Sequence, residues 1–350
     1  MTTGTPGPRR EPPVESVLHP EVGEPVEVAE GIVLLRLPLP FALDHVNVYL
    51  LDEGDGWAIL DTGLDTPECR SIWEAALRSP LLRGRPVRRL LVSHHHPDHV
   101  GLAGWLARWW DVPMEMTEPE YRVSARYKDD PAERQRKRVR FWAENGLSGP
   151  RAQELVHSMP DYQRIVHELP DEVAFIEPEY PLEAGGRTWQ VLIGKGHSPY
   201  QVSLFHEGDD LLLSADQVLP GISPNIGVWP DGAQNPLEDY LHTIAPFAEL
   251  GRNPLVLPGH RAPFRGLARR VRELTDHHDQ RLRRLHTHCS APTTCYEALP
   301  AIFDRELARE QIGFAMGEGL AHLHYLHDQG CLELRTDDGT RRFHQASACT

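Results

Sequence analysis

The chain contains little cysteine and no long apolar stretch, and both absences narrow its class. Its five cysteines show no spacing typical of a disulfide framework or of a cysteine-based metal site. No apolar run is long enough for a membrane span, and no apolar stretch follows Arg9 and Arg10 as a secretory signal requires. The sequence therefore predicts a cytoplasmic protein without membrane contact.

Positive charge is also in deficit, with 36 Lys and Arg against 51 Asp and Glu and a net charge of −15. Because cationic side chains that neutralise phosphates provide most non-specific affinity for nucleic acids, this balance disfavours nucleic acid as a general partner. The chain further lacks the Gly-x-Ser-x-Gly pattern of serine hydrolases and a glycine-rich phosphate loop. Its 350 residues, 40% of them hydrophobic, fit one large globular domain with an appendage.

The segment Ser93–His99 carries the most informative pattern that is present. It follows residues 87–92, an aliphatic run that predicts a buried strand. In the turn that follows, one pair of ligand-type residues (His94 and His96) can point one way and a second pair (Asp98 and His99) another. Imidazole and carboxylate are what a borderline divalent ion such as zinc accepts. Two diverging pairs predict two adjacent metal ions, and a solvated histidine-rich turn is the alternative.

Further apolar segments of the chain also end in a histidine or an aspartate. They are residues 56–60 with Asp61, 189–193 with His197, 211–215 with Asp216, and 254–258 with His260. Chance can supply one or two such strand ends, but a set in this order indicates one shared site.

These motifs resemble those of the metallo-β-lactamase superfamily, whose H-x-H-x-D-H signature stands here as His94, His96, Asp98 and His99. The resemblance covers about residues 26–265. It implies an α/β fold, a four-layer αβ/βα sandwich, with the metals at one edge between the two sheets.

The resemblance also assigns the candidate ligands. It gives His94, His96 and His197 to one ion, Asp98, His99 and His260 to a second, and Asp216 to both. Asp61 would accept a hydrogen bond from a ligand such as His99, as metal-bound histidines generally require. The expected cofactors are two divalent ions, zinc first, with iron and manganese also compatible with this donor set.

An aspartate at position 216 narrows the expected activity. Members that are true β-lactamases carry cysteine there or lack a bridging carboxylate, whereas the aspartate is typical of glyoxalase II-like thioesterases, lactonases, related nucleases and diiron members. Two dications can hold a bridging hydroxide and polarise a carbonyl, with Asp98 as the catalytic residue that orients the hydroxide. We expect a metal-dependent hydrolase of an acyl-CoA or glutathione thioester, or of a related ester or lactone. A metal-dependent endoribonuclease or phosphodiesterase is the alternative.

Two residues are candidate substrate contacts. His45 belongs to a hairpin edge that lies near the metal cleft in this superfamily, and an ordinary turn histidine is its alternative interpretation. Tyr200, with Gln201, stands where many relatives have a Gly-His or similar pair, so its phenol would add bulk near His197. The expected substrate is a small anionic molecule.

Three regions flank or interrupt the motifs. Residues 1–25, rich in proline and glycine, predict a flexible tail. Residues 117–170 predict a helical insertion, a candidate lid, whose basic run at 134–140 either binds an anion such as a coenzyme A phosphate or is simply solvated. Residues 266–350 predict three helices and a hairpin, and resemble the winged-helix-like tail of some members. That tail could bind RNA, cover the active-site mouth, or join two copies in a homodimer.

Overall fold

The computed structural model describes residues 13–41, 43–126, 131–158, 165–166 and 168–347. The first sheet has the order β2-β3-β4-β5-β6-β7-β8, with strands Val26–Ala29, Ile32–Pro38, His45–Asp52, Trp57–Leu60, Val87–Leu91, Met114–Met116 and Val173–Phe175. The second has the order β1-β14-β13-β12-β11-β10-β9, with strands Glu15–Ser16, Phe264–Arg265, Leu255–Pro258, Leu211–Ala215, Gln201–His206, Arg187–Gly194 and Leu182–Ala184. A hairpin of β15 (Leu332–Asp337) and β16 (Thr340–Gln345) stands apart.

The helices of the described residues fall into three groups along the chain. The first group is α1 (Pro67–Leu77), α2 (Pro97–Val100) and α3 (Ala103–Trp110). The second is α4 (Glu118–Arg126), α5 (Pro131–Glu144) and α6 (Pro150–Ser158). The third is α7 (Pro236–Ile244), a 3₁₀ turn (Ala245–Glu249), α8 (Leu267–His288), α9 (Cys295–Ile302) and α10 (Arg309–Asp328).

Strand β3 shows why the sheets lie in the middle of the fold. Its side chains alternate between two cores, with Ile32 and Leu34 facing the second sheet and Val33 and Leu35 facing the helices that cover the first sheet. Residues of both sets are at most 1% exposed. Alternation with a period of two is the geometry of a strand, and burial of both faces requires a layer on each side.

Three hydrophobic cores separate the four layers. One lies between the two sheets, and a second lies between the first sheet and the helices α1 and α3. The third lies between the second sheet and the later helices. The structure thus has the αβ/βα sandwich that the sequence predicts, with the helices of residues 236–328 as its second outer layer.

The flexible tail predicted for residues 1–25 extends too far. Glu15 and Ser16 pair with Arg265 and Phe264 in the second sheet, and the Gly23 N–H donates to the Arg36 carbonyl at 2.8 Å. The prediction is wrong for these positions because the backbone finds partners on both sheets. Residues 1–12 lie outside the described residues.

The insertion predicted for residues 117–170 is packed against the C-terminal region. Trp142 is 0% exposed and belongs to the core that also contains residues of α8, α9 and α10. The Asn145 carbonyl accepts a hydrogen bond from the N–H of Tyr296 at 3.2 Å. A role as a lid stays a prediction, and residues 127–130, 159–164 and 167 of the predicted insertion lie outside the described residues.

The C-terminal region contains the three helices and the hairpin that its sequence predicts. The first helix, α8, begins on the second sheet, where Leu267 and Val271 share a core with Val256 and Phe264. The expected boundary at residues 265 and 266 therefore separates segments that share one core.

Two further expectations concern cysteines and membranes. Cys331 is disulfide-bonded, which the spacing of the cysteines does not predict. Cys69, Cys289 and Cys295 are free and buried. In the part of the chain that the structure describes, no helix combines the length and the hydropathy needed to cross a bilayer.

Candidate metal centre

The strand ends singled out in the sequence converge at one edge of the sandwich. His94, His96 and His197 have ligand atoms within 4.8 Å of one another, and we call them the three-histidine group. Asp98, His99 and His260 meet the same criterion, and we call them the aspartate group. A third overlapping set joins the two groups through Asp216, whose carboxylate clusters with His94 and His99.

Unusual backbone conformations turn the chain at these strand ends. Asp61 has φ of 66° and Ala215 has φ of 43°, a left-handed region that costs a non-glycine residue about 1–2 kcal/mol. Gly259 has to be glycine, because a Cβ there would come within 2.2 Å of Asp216 Oδ1 and 2.9 Å of His99 Cε1. Such strain persists where the surrounding structure fixes the backbone, which is typical of functional sites.

Asp216 occupies the centre of the cluster. Its Oδ2 lies 3.3 Å from His197 Nε2 and 3.2 Å from His260 Nε2, and its Oδ1 lies 3.6 Å from His99 Nε2. One carboxylate thus faces ligand-type nitrogens of both groups. This is the placement that a residue shared by two ions requires.

Four of the histidines have the outer ring nitrogen occupied by a partner. The Nδ1 atoms of His94, His99, His197 and His260 lie 2.9, 2.8, 3.0 and 2.8 Å from Ser93 Oγ, Asp61 Oδ2, the Asn225 carbonyl and the His45 carbonyl. Carboxylate and carbonyl oxygens only accept hydrogen bonds, so Nδ1 donates in the last three pairs. In the neutral form of these three rings the lone pair is therefore on Nε2, which faces the cluster, and this is the tautomer that a metal ligand needs.

The two groups differ in their electrostatics. Burial, followed by the neighbouring histidines, lowers the pKa of His94 and His96 well below the ordinary value. Burial also acts to lower the pKa of His99 and His260, but nearby carboxylates, above all that of Asp216, outweigh it and raise both. Burial would raise the pKa of Asp216, yet His260 and His99 hold it well below its ordinary range.

Several atoms of the cluster have no hydrogen-bond partner in the part of the chain that the structure describes. Among the described residues, His99 Nε2, His197 Nε2 and Asp216 Oδ1 are buried and lack any hydrogen bond. A buried polar atom without a partner costs about 1–3 kcal/mol. Imidazole nitrogens and carboxylate oxygens at this spacing are the donor set of a divalent ion, so the cluster fits the divalent metal ions that this fold implies.

Asp61, predicted to support a ligand, has a wider role than expected. Its Oδ2 accepts from His99 Nδ1 at 2.8 Å and from the Ser93 hydroxyl, also at 2.8 Å, while its Oδ1 accepts from the Ser93 N–H at 2.7 Å. Since Ser93 Oγ also bonds His94, one carboxylate supports histidines of both groups.

The two candidate substrate contacts lie in different surroundings. Both ring nitrogens of His45 are engaged, Nδ1 with Asp44 and Nε2 with the Arg261 N–H at 3.1 Å, which favours its alternative interpretation as a structural turn residue. Tyr200 is half-buried, and the Lys195 ammonium lies 5.0 Å from its ring centroid. These two side chains stand on either side of His197 in the chain.

Sequence reasoning missed two residues that support the site. Glu120, which is 0% exposed, accepts hydrogen bonds from His95 and from the Tyr200 N–H. Asn225 orients His197 through its carbonyl. Pro119 marks a helix start but says nothing about where the next side chain points, and a backbone carbonyl leaves no trace in the sequence.

Comparisons with known proteins agree with the fold and the cluster. The model of the metallo-beta-lactamase superfamily matches residues 42–260, and that of the metallo-beta-lactamase-like C-terminal domain matches residues 282–346. The crystal structure of a beta-lactamase domain protein from Burkholderia ambifaria is similar, with 37% identity, a TM-score of 0.85, and coverage of 94% of this chain and 96% of that one. A metallo-beta-lactamase family protein from Thermus thermophilus shares 29% identity at a TM-score of 0.77, covering 91% and 100%. A Bacillus subtilis (strain 168) protein named as a probable metallo-hydrolase is 25% identical over 320 residues, covering 85% of this chain and 92% of its own.

Proposed function

Because the chain belongs to the metallo-beta-lactamase superfamily and carries a His/Asp cluster that fits divalent ions, we propose that it is a dinuclear-metal hydrolase of a thioester or a related ester or lactone. The position of Asp216 between the two groups carries this proposal. A carboxylate there, in place of a cysteine, is the feature by which the sequence resembles glyoxalase II-like thioesterases. Zinc is the proposed metal, since its usual ligands are histidine and aspartate in this arrangement.

The residues of the cluster would have separate roles in the proposed hydrolysis. The three-histidine group and the aspartate group would each hold one ion, with Asp216 in contact with both. Ions held there would act as Lewis acids that activate water and polarise the substrate carbonyl. Asp98, whose Oδ2 lies 3.4 Å from His260 Nε2, is partly exposed and would orient the attacking water by accepting its proton.

The pair formed by Lys195 and Tyr200 supports the proposal that the substrate is anionic. The ammonium–ring pair lies in the turn that carries His197, so this turn supplies a positive charge as well as a candidate metal ligand. A cation over an aromatic face keeps a defined position. We place the anionic part of an acyl-CoA or glutathione thioester at this side, with Tyr200 as the wall of the substrate cleft.

Thiol release from a panel of acyl-CoA and glutathione thioesters tests the proposal directly. We expect release by the metal-loaded protein that a chelator stops and added zinc restores. The Asp55→Ala variant is altered at an exposed acid that pairs with Arg88. It is the control for replacing an acid away from the metal centre, and it should release thiol as the wild type does. Metal-loaded protein that releases no thiol from any thioester would exclude the thioesterase activity and move the search to lactones and RNA.

Cleavage of RNA or another phosphodiester is the second candidate function. The basic run on α5 and the arginine-rich helix α8 are the observations in its favour, while the net charge of −15 opposes it. Metal-dependent cleavage of single-stranded RNA, with no turnover of thioesters, would select this candidate. A cytoplasmic location remains part of the proposal.

A further inference from the structure

The turn that carries His197 is held from outside the two sheets. It comprises residues 195–200, between β10 and β11. At its far end the Tyr200 N–H donates to Glu120 Oε1 at 2.5 Å, and the Tyr200 carbonyl accepts from the Thr117 hydroxyl at 2.9 Å. At its near end the Lys195 N–H donates to Thr243 Oγ1 at 3.1 Å. The first two partners belong to the insertion.

Glu120 also holds the turn that carries His94 and His96. Its Oε2 accepts from the His95 N–H at 3.0 Å and from the His95 ring at 2.6 Å. The carboxylate is completely buried. Burial alone would raise its pKa, but His95 and the two backbone donors outweigh burial and keep the pKa below its ordinary value.

One carboxylate therefore joins the two turns that supply the three-histidine group. The first turn follows a strand of the first sheet and the second follows a strand of the second sheet. Both carboxylate oxygens of Glu120 accept charge-assisted hydrogen bonds, which are shorter and stronger than neutral ones. Their distances fix how far apart the two turns lie.

We propose that Glu120 is a positioning residue that sets the affinity of the three-histidine group for its ion, and that the insertion controls this half of the metal centre through it. The inference rests on the proposed function, because it requires an ion at that group. Glu120 acts through His95 and the Tyr200 backbone. The histidines of the aspartate group donate their described hydrogen bonds to Asp61 and the His45 carbonyl instead.

The Glu120→Gln variant tests this with little change of shape. Each carboxylate oxygen faces an N–H donor, so the amide NH₂ of glutamine must oppose at least one of them. Glu118→Gln is the matched control, because Glu118 lies on the same helix but is 50% exposed and pairs only with Arg122 among the contacts described for it. Full-length protein is stripped of metal and titrated with Zn²⁺ against a chromophoric chelator, which resolves two stepwise affinities.

We expect Glu120→Gln to weaken one zinc affinity about 10–100-fold, the usual cost of removing a hydrogen-bond partner behind the ligands, and to leave the other unchanged. A His197→Ala variant identifies which affinity belongs to the three-histidine group. The affinity that remains in Glu120→Gln should equal the one that remains in His197→Ala. Thr117→Val, which removes a neighbouring contact to the same turn, should produce a smaller loss at the same ion.

Equal loss at both ions would reduce Glu120 to a general structural residue, and two unchanged affinities would overturn the inference outright. Wild-type protein that binds no zinc would instead contradict the proposed function. If Glu120→Gln fails to fold, Glu120→Asp retains the charge and shortens the reach by one methylene. The same one-sided loss is then expected, and its absence counts against the proposal.

Discussion

The two halves of the metal centre are built on different principles. The three-histidine group contains no carboxylate, and burial keeps His94 and His96 neutral by lowering their pKa. In the aspartate group, carboxylates raise the pKa of His99 and His260. Carboxylates therefore favour a positive charge in the second half, whereas burial favours neutral imidazoles in the first.

The two halves also differ in what supports them. The histidines of the aspartate group bond Asp61 and the His45 carbonyl, both at strand ends of the first sheet. His197 instead bonds the carbonyl of Asn225, in the segment between β12 and α7. The three-histidine group therefore also depends on segments outside the two sheets, whereas the histidines of the aspartate group bond residues at strand ends.

The segment behind His197 is clamped between the insertion and the C-terminal region. The Val228 N–H donates to the Gly317 carbonyl of α10 at 3.0 Å. The Trp229 ring lies 6.0 Å from Trp142 of α5 and 6.0 Å from Phe314 of α10. Changes in either accessory region can therefore reach His197 through packing.

The largest effect is expected at Asp98, because no other residue is assigned its role as proton acceptor. Asp98→Ala should lower kcat/KM for the active thioester about 10²–10⁴-fold, the range for losing a proton acceptor in the transition state, with the melting temperature of the metal-free protein unchanged. Steady-state kinetics and thermal unfolding measure the two quantities. Wild-type-like turnover would refute the role of Asp98.

Asp61→Asn is expected to affect both halves of the metal centre, whereas Glu120→Gln is expected to affect one. Because Asp61 bonds His99 directly and reaches His94 through Ser93, we expect both zinc affinities to fall, each about 10–100-fold. The same chelator competition measures them. Loss at one ion alone would mean that the Ser93 contact does not support His94.

A change of pH tests a buried histidine that lies outside the metal centre. Burial lowers the pKa of His322, on α10, to about 3, so between its ordinary pKa of 6.5 and that value only the unfolded chain binds the proton. Well above the ordinary pKa, this residue therefore causes no loss in the free energy of unfolding. Below that pKa, the free energy of unfolding falls by about 1.4 kcal/mol per pH unit. Urea unfolding of metal-free wild type and His322→Gln should show the variant's deficit shrinking by that amount from about pH 5.5 to about pH 4.5. A constant deficit would contradict the prediction.

Lys195→Ala should have the smallest effect. A partly exposed charge contributes about 0.2–1 kcal/mol, so KM for an acyl-CoA should rise by less than about tenfold with kcat unchanged. KM for an uncharged, truncated thioester should not change in the same variant. A rise for both substrates would show that Lys195 shapes the cleft and does not attract the anion.

The strands and the residues that end them could be predicted because their information is local. Residues 87–92 form an aliphatic run, and the histidines follow in one short motif, so the fold and the cluster of ligand-type residues could both be expected. Glu120 could not, because its partners lie 25 and 80 residues away in the chain. The paired strand at Glu15 was missed because two residues carry no periodicity.

Both groups draw ligands from each sheet, since the His94–His99 turn follows the first sheet and His197 and His260 follow strands of the second. An ion in either group would therefore act as a cross-link between chain segments about a hundred or more residues apart. Cross-links of this length remove loop-closure entropy from the unfolded chain. Loss of metal would then lower the stability of the fold, and resistance to proteolysis would become a readout of metal supply.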